Sequence, residues 1–559
     1  MSRYPLNPGK DMQASQVAPG PNWLLNHTGY TRLAKIARSL IVLLAVGYIL
    51  ELIALASIRM FYPYELEWSE SAVFEEIRWI ADGHPLYGPP QLAFLPLAYT
   101  PVYFYLSAAV TKIIGLGFLA PRLVSVLAAL GCFALLFVLV YQKTRRNEAS
   151  RLAASPLAAG PLATSPLAAG LLAAGLYAAS FRFTGAWMDL AKTDSLFLLI
   201  VLLAFWVGIR CPRRAGYLLS GSLFALAYFT KQIALPLVLA LAPIALISSR
   251  GRSWLQWCSA FALGLGIFWL WDASSKGWYS FYTIETLLYH ERVLNLTMFW
   301  ASLLGKMWPA FLLASLYAAL EYKSARQRPG GWQGFPWQYL GFGSALILVS
   351  WSIYFKVWTY DNAMMPACLG LALLAGLAYG RLFSLEQDTT LLLLHAPGIF
   401  FSGIALCLLQ LGLLFYNPLQ QLPSPENRDK AGEFVQFTRQ LPGKVWVINH
   451  THFGYLAGKE PYFHGVAFGD IVGGSPPPPG TDAYRRREMA ASVFQQAVSE
   501  QVFDWIIVDE LDSAWEPYYI EVDQLPFEFY PVTGAPIRPK TLLGRNPDAN
   551  SSPPSSGAP

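Results

Sequence analysis

The sequence predicts an all-α polytopic membrane protein of about eleven transmembrane helices, with a small extracytoplasmic α/β domain at its C-terminal end. Three observations predict it. Of 559 residues, 54% are hydrophobic and 13% charged, about half the charge of an average soluble domain, and the mean hydropathy is +0.37. Apolar runs of ~17–25 residues recur along the first three-quarters of the chain, a length that fits a bilayer crossing. After Tyr416 the composition turns polar and proline-rich, and shorter strand-like and helical patterns replace those runs.

The leader, residues 1–37, is polar and carries Arg3, Lys10, Arg32 and Lys35. The run Ser39–Ile58, broken only by Glu51, then reads as a retained anchor rather than a cleaved signal. Further spans fall near 121–141, 168–184, 194–209, 216–232, 234–249, 254–272, 299–320, 337–355, 363–380 and 391–415. Basic clusters at the leader, Lys143/Arg145/Arg146/Arg151, Arg210/Arg213/Arg214, Arg250/Arg252, Lys323/Arg326/Arg328 and Arg381 share one face, which the positive-inside rule makes cytoplasmic. This implies a multi-pass plasma (inner) membrane protein with its N-terminus in the cytoplasm. The stretch Tyr99–Leu116 contains Pro101 and Lys112, and a full span there would invert the next basic loop, so it reads as part of a re-entrant or surface-lying helix pair.

The doubled "SPLAAG" within 155–170 reads as a flexible connector. Residues 417–545 are expected to form the α/β domain, with strands at Val445–Ile448 and Trp505–Val508, helices at 427–440 and 484–502, and a disordered tail over 546–559. The five cysteines, Cys132, Cys211, Cys258, Cys368 and Cys407, lie in or beside apolar segments without metal spacing, which argues against a disulfide framework or a zinc site. The net charge of +5 comes from dispersed loop residues, so no nucleic-acid partner is expected.

The segment Tyr62–Tyr87 places five glutamates and an aspartate where the chain leaves the first span. Carboxylates are costly near lipid, and their concentration at an interface points to function. Glu67 and Glu70 are three residues apart, so a helix starting near Trp68 would point both to one side, facing water, with Val73, Ile77 and Ile80 behind them and Trp68 and Trp79 in the interfacial belt. Partial desolvation and an acidic neighbour would raise such a carboxylate's pKa toward neutrality, which suits a general base. Asp189 and Asp194 fall at the same outer face, Asp194 also where a helix cap is needed, together with Lys231. Lysine snorkelling and solvated acids are the plainer alternatives.

The run of motifs "ELEWSE", "GHPLY", "YTPVYFYLSA", "APRLVSVLAAL", "MDLAKTDSLFLL", "YFTKQIAL" and "KVWTYDNAMMPACLGLALLAG" spans about 38–415. In order and sidedness it resembles the GT-C glycosyltransferases that use polyprenyl-phosphate sugars, among them the protein O-mannosyltransferases and the lipid A aminoarabinose transferase. The resemblance implies a sugar transfer to an acceptor hydroxyl on a lipid, glycan or protein, with an acid of the first outer loop as general base. Glu67 and Glu70 occupy that place, but Ser69 stands where the family commonly has the first of two adjacent acids, so the choice between them stays open. The departing phosphate would need cations, for which Lys231, Arg122, Lys356 and Arg292 are candidates, with Lys231 and Arg122 favoured. Asp189, Asp194, Tyr64 and His290 complete the substrate-binding candidates. A single displacement would invert the sugar.

Some such enzymes use a divalent cation, and Glu67, Glu70 and Asp189 are the acids that could bind Mg or Mn. No cytoplasmic Asp-x-Asp with a basic cradle points to a nucleotide-sugar donor. Two other readings fit parts of the pattern: a lipid-sugar flippase or transporter using the acids and Lys231 for coupling, and an assembly factor whose His450, His452 and His464 form a metal or ligand site.

Overall fold

The structure is a computed structural model that describes residues 22–154, 164–248, 252–293, 296–327, 335–357, 359–386 and 396–549. Every predicted span coincides with a helix: α1 (Asn22–Arg59), α4 (Leu119–Ala154), α5 (Thr164–Ala179), α6 (Asp194–Arg210), α7 (Arg214–Tyr228), α8 (Ala234–Ser248), α9 (Arg252–Ser274), α10 (Leu296–Gln327), α11 (Trp337–Ile353), α12 (Met365–Glu386) and α13 (Ala396–Leu413). Five of them are long and apolar enough to cross a bilayer unaided, within α1, α4, α9, α10 and α12, or six if α13 and the bent continuation to Gln440 are counted together. Helices α5, α6, α7, α8 and α11 have 15 to 17 residues. That is about 22–26 Å, short of the ~30 Å hydrocarbon core.

Helix α1 begins at Asn22, so residues 22–37 of the predicted leader are helical. One expectation is corrected. The second "SPLAAG" opens α5, because its Ala and Leu favour helix and Pro166 sits in the first turn, where a missing N–H does no harm. The first copy and the tail from residue 550 lie outside the described residues. Helix α12 is buried along its whole apolar window and forms the centre of the bundle. Close approach of α1 and α5 depends on Gly175, where a Cβ would come within 2.5 Å of the Cα of Ala45.

Two short helices lie between α1 and α4: α2 (Glu70–Ala81) and α3 (Val102–Ile114), which pack on each other as a pair. Beyond α13, helix α14 (Pro425–Gln440) leads into β1 (Val445–Val447), then α15 (Thr451–Leu456), α16 (Gly465–Val472) and α17 (Asp482–Ser499) cross over to β2 (Trp505–Val508), followed by β3 (Tyr519–Gln524) and β4 (Thr541–Arg545). The sheet order is β1-β2-β4-β3, with β1 and β2 parallel (Val445 opposite Trp505) and the rest antiparallel. Phe434, Phe453, Ile507 and Phe529 pack one face. Trp446, Phe463 and Phe503 belong to a core continuous with the helical bundle, so the sheet region is seated on the bundle rather than tethered to it.

Candidate active site

The acidic segment faces inward, not toward water. Glu65, Glu67, Glu70, Glu75 and Glu76 are all buried, as are Val73, Ile77 and Trp79; the indole of Trp79 stacks on Phe94 instead of standing in an interfacial belt. Burying that many carboxylates is unfavourable unless each finds a charge or donor. Glu75 pairs with Arg78 on its own helix, while several of the other partners come from distant parts of the chain.

Glu70, at the start of α2, is held by Arg122 at the start of α4, whose Nε and Nη2 donate to its two oxygens at 3.0 and 2.6 Å. The amides of Ala191 and Leu66 donate to the same carboxylate at 2.7 and 2.8 Å. The remaining Arg122 N–H groups donate to the carbonyls of Arg59, Tyr62 and Tyr64, so all five are engaged. Burial works to raise the Glu70 pKa, but Arg122 and the two amides outweigh it and hold it below the usual value. The expected rise toward neutrality therefore does not occur at Glu70. Asp189 forms a parallel pair with Arg59, Nε and Nη2 reaching its oxygens at 2.7 and 3.1 Å, while Arg59 also ties the carbonyls of Gln421 and Ala186. Two buried guanidinium–carboxylate pairs thus fix where the chain turns out of the bundle.

Glu67 differs. Its Oε2 accepts from the amide and hydroxyl of Ser69 at 3.1 and 2.8 Å and lies 2.9 Å from Lys192 Nζ. Among the described residues, its buried Oε1 has no hydrogen-bond partner. Above that oxygen runs the chain at Thr533 and Gly534: the Thr533 amide donates to Leu66 O and its hydroxyl to Gly185 O. A Cβ on Gly534, which has φ +82°, would lie 3.0 Å from Oε1, so glycine leaves room there that other residues would fill. Lys192 also donates to Ser69 Oγ and lies over the Trp187 ring. It lies within "MDLAKTDSLFLL", where no local pattern sets it apart from its neighbours.

More charged groups gather nearby. Lys231 Nζ is 2.5 Å from Asp194 Oδ1, which also accepts from Asn362. Lys356, in a short antiparallel bridge with Arg292, feels Asp470 of α16 and Lys231; burial lowers its pKa, partly offset by Asp470. His290 contacts the Asp470 carbonyl at 2.9 Å. Asp470, Asp194 and Glu67 all lie within electrostatic reach of the Tyr99 hydroxyl, and Lys192 within reach of Asp470, which makes these groups one charged cluster around Glu67, the chamber of the candidate site. Tyr64 lies elsewhere, stacked on Phe453 at 5.4 Å in the core under the sheet.

The three histidines of the sheet region lie against α2 and the segment that leads into it. His450 Nδ1 is 2.5 Å from Glu65, and its Nε2 is 3.4 Å from Asp509, an ion-pair distance without hydrogen-bond alignment. Burial works against its protonation, but the two carboxylates outweigh it and raise its pKa to about 10. His464 accepts the Val466 amide at Nδ1, so Nε2 carries its proton and donates to Ser71 Oγ at 2.9 Å; Ser71 is held, not activated as a nucleophile. His452 lies against Phe74 and Phe118, and burial together with Arg122 lowers its pKa to about 3, keeping it neutral.

Because His450 binds its proton more tightly folded than unfolded, where 6.5 is the ordinary value, its contribution to stability is complete below pH 6.5 and is lost as pH rises through about 10. The melting temperature is expected to fall between pH 6.5 and 10, and to fall less in His450→Gln, as thermal unfolding in detergent across that range will read.

Among the described residues, no three His, Cys, Asp or Glu side chains come together as a metal would need. Glu70 and Asp189 have their oxygens engaged by guanidinium groups, so the acids that could bind Mg or Mn do not fit that purpose here.

A helical bundle, with the segment between its first two long helices folded back as a helix pair and an α/β region covering the buried acids, is a fold this chain shares with solved GT-C structures. Among the solved structures it is similar to are two of ArnT from Cupriavidus metallidurans. The structure bound to undecaprenyl phosphate matches with a TM-score of 0.52 at 12% identity, covering 90% of this chain and 99% of that one. The apo structure matches with a TM-score of 0.52 at 13% identity, over 89% and 98%. No protein-family model matches the chain, and no curated protein sequence does. The shared fold and the apolar helices make this a multi-pass membrane protein.

Proposed function

We propose that this protein is a glycosyltransferase that moves a sugar from a polyprenyl-phosphate donor to an acceptor hydroxyl at the outer face of the membrane, by a single inverting displacement with Glu67 as general base. The observation that carries the choice is the contrast between the two candidate acids: Glu67 is buried with one oxygen unpartnered, whereas Glu70 accepts four hydrogen bonds. The donor class is supported by the fold shared with ArnT, solved with undecaprenyl phosphate.

In this reading all eleven apolar helices cross or enter the bilayer, the shorter ones tilted little or locally thinning it, with the basic loops cytoplasmic and residues 417–545 an outer domain. The acceptor oxygen bonds to the anomeric carbon while its proton passes to Glu67 Oε1. The bond from that carbon to the phosphate oxygen breaks, and polyprenyl phosphate leaves as an anion. Arg122 has no donor left for a phosphate, so Lys192, Lys231 and Lys356 supply the positive field around the departing group. Asp194 orients Lys231, and Asp470 with His290 braces the outer loop. Glu70, Arg122, Asp189 and Arg59 position the loop and do not touch substrate.

The test is transfer by the purified full chain in proteoliposomes, assayed over a panel of undecaprenyl-phosphate sugars and apart from lipid-sugar translocation. Transfer is expected in the native chain; translocation without transfer would instead support a flippase. Lys192→Met is expected to lower kcat/KM roughly a hundredfold, with partial recovery in Lys192→Arg. Unchanged kinetics in Lys192→Met would remove it from the chamber's work.

A further inference from the structure

We infer that the protein carries a binding site for an anionic membrane phospholipid at the end of the bundle opposite the Glu67 chamber. Helix α6 begins at the chamber with Asp194 and ends at Arg210, so its far end is about 24 Å away. There α6, α7, α8, α9 and α11 leave an open cleft, walled by Phe205, Tyr217, Phe224, Trp254 and Trp257, with Gln338 among the few polar side chains on its wall. Its largely apolar, aromatic lining suits an acyl chain better than a polar ligand.

Its mouth is basic. Ile209 lines the cleft and Arg210 follows it; Tyr217 lines it and its amide bonds the carbonyl of Arg213 one turn earlier, beside Arg214. All three arginines are exposed. On the neighbouring edge, Lys143 Nζ lies 5.7 Å from the Tyr339 ring, which packs edge-on against Phe205 of the cleft wall, and Arg146 is within electrostatic reach of that ring. An apolar slot between helices with cations at its mouth matches a lipid whose tail enters the slot and whose phosphate meets the arginines. The chamber at the other end serves a different leaflet, so the proposed ligand is a phospholipid and not the sugar donor.

Native mass spectrometry of the full chain tests this directly. The delipidated protein is offered equal amounts of phosphatidylglycerol and phosphatidylcholine with the same acyl chains. The expected result is about tenfold preferential retention of phosphatidylglycerol, falling to near parity when Arg210→Gln, Arg213→Gln and Arg214→Gln are combined, with the melting temperature unchanged. Ala245→Trp, or Leu241→Trp if that chain does not fold, is expected to reduce retention by filling the cleft. Equal retention of the two lipids by the native chain means annular lipid only and overturns the inference. So does a preference that survives the combined arginine variant or the filled cleft, or displacement of phosphatidylglycerol by an equimolar amount of undecaprenyl phosphate.

Discussion

Glu67→Gln is expected to lower sugar transfer by about 10³-fold while leaving the fold and donor binding intact. The amide keeps the size of the carboxylate and can still accept from Ser69 through its oxygen, so the loop retains its shape. What it loses is the ability to take the acceptor's proton, together with the charge that holds Lys192. A kcat effect with little change in donor KM, measured alongside an unchanged melting temperature, is the signature of a lost base. A variant that transfers at the native rate would sink the assignment. Glu67→Asp is the milder companion: it keeps the charge but withdraws the oxygens by one methylene, and partial activity is expected.

Glu70→Gln or Arg122→Met is expected to act on stability, by about 3–5 kcal/mol, because each leaves a fully buried charge without its partner. Arg122 alone ties the carbonyls of Arg59, Tyr62 and Tyr64 as well as Glu70, so its loss frees the whole turn between α1 and α2. Removing both partners together should cost less than the sum of the single changes, since no lone charge remains. The two classes of variant therefore separate: Glu67 changes move rate and Glu70 changes move unfolding. The depressed Glu70 pKa adds a pH signature. Its stabilisation is complete above the ordinary carboxylate value of 4.5 and is lost as pH falls through the lower folded value, so acid unfolding of the native chain should be steeper than that of Glu70→Gln.

Helices and strands were largely legible in the sequence because each is written in local periodicity. The eleven apolar runs fell on α1 and α4–α13, and the strand patterns at Val445 and Trp505 became β1 and β2. The "ELEWSE" motif, with "MDLAKTDSLFLL" and "YFTKQIAL", drew attention to segments that do meet. The orientation of the acids was misread: an apolar stripe of Val73 and Ile77 suggested one dry face, but the sheet region covers the other face too. Nothing local announces that cover. Glu65 finds His450, 385 residues on, and Leu66 accepts from Thr533; such pairings carry no spacing rule. Lys192 carries no local signal of its own: what marks it is Glu67, 2.9 Å away in space and 125 residues earlier in the chain.

That long reach has a consequence for how the protein is made. As the chain emerges, the acids of residues 65–76 are synthesised well before His450, His464 and Thr533, which supply part of their company in the finished fold. Arg59 and Arg122 come early and can neutralise Asp189 and Glu70 during membrane insertion. Among the described residues Glu65 has no early cation, only the Ser71 hydroxyl, and is expected to stay hydrated until the last quarter of the chain brings His450. The cover over these acids is therefore a late product of biogenesis: a chain still lacking the sheet region is expected to insert its helices with Glu65 and Glu67 open to water, and to bury them only once that region arrives.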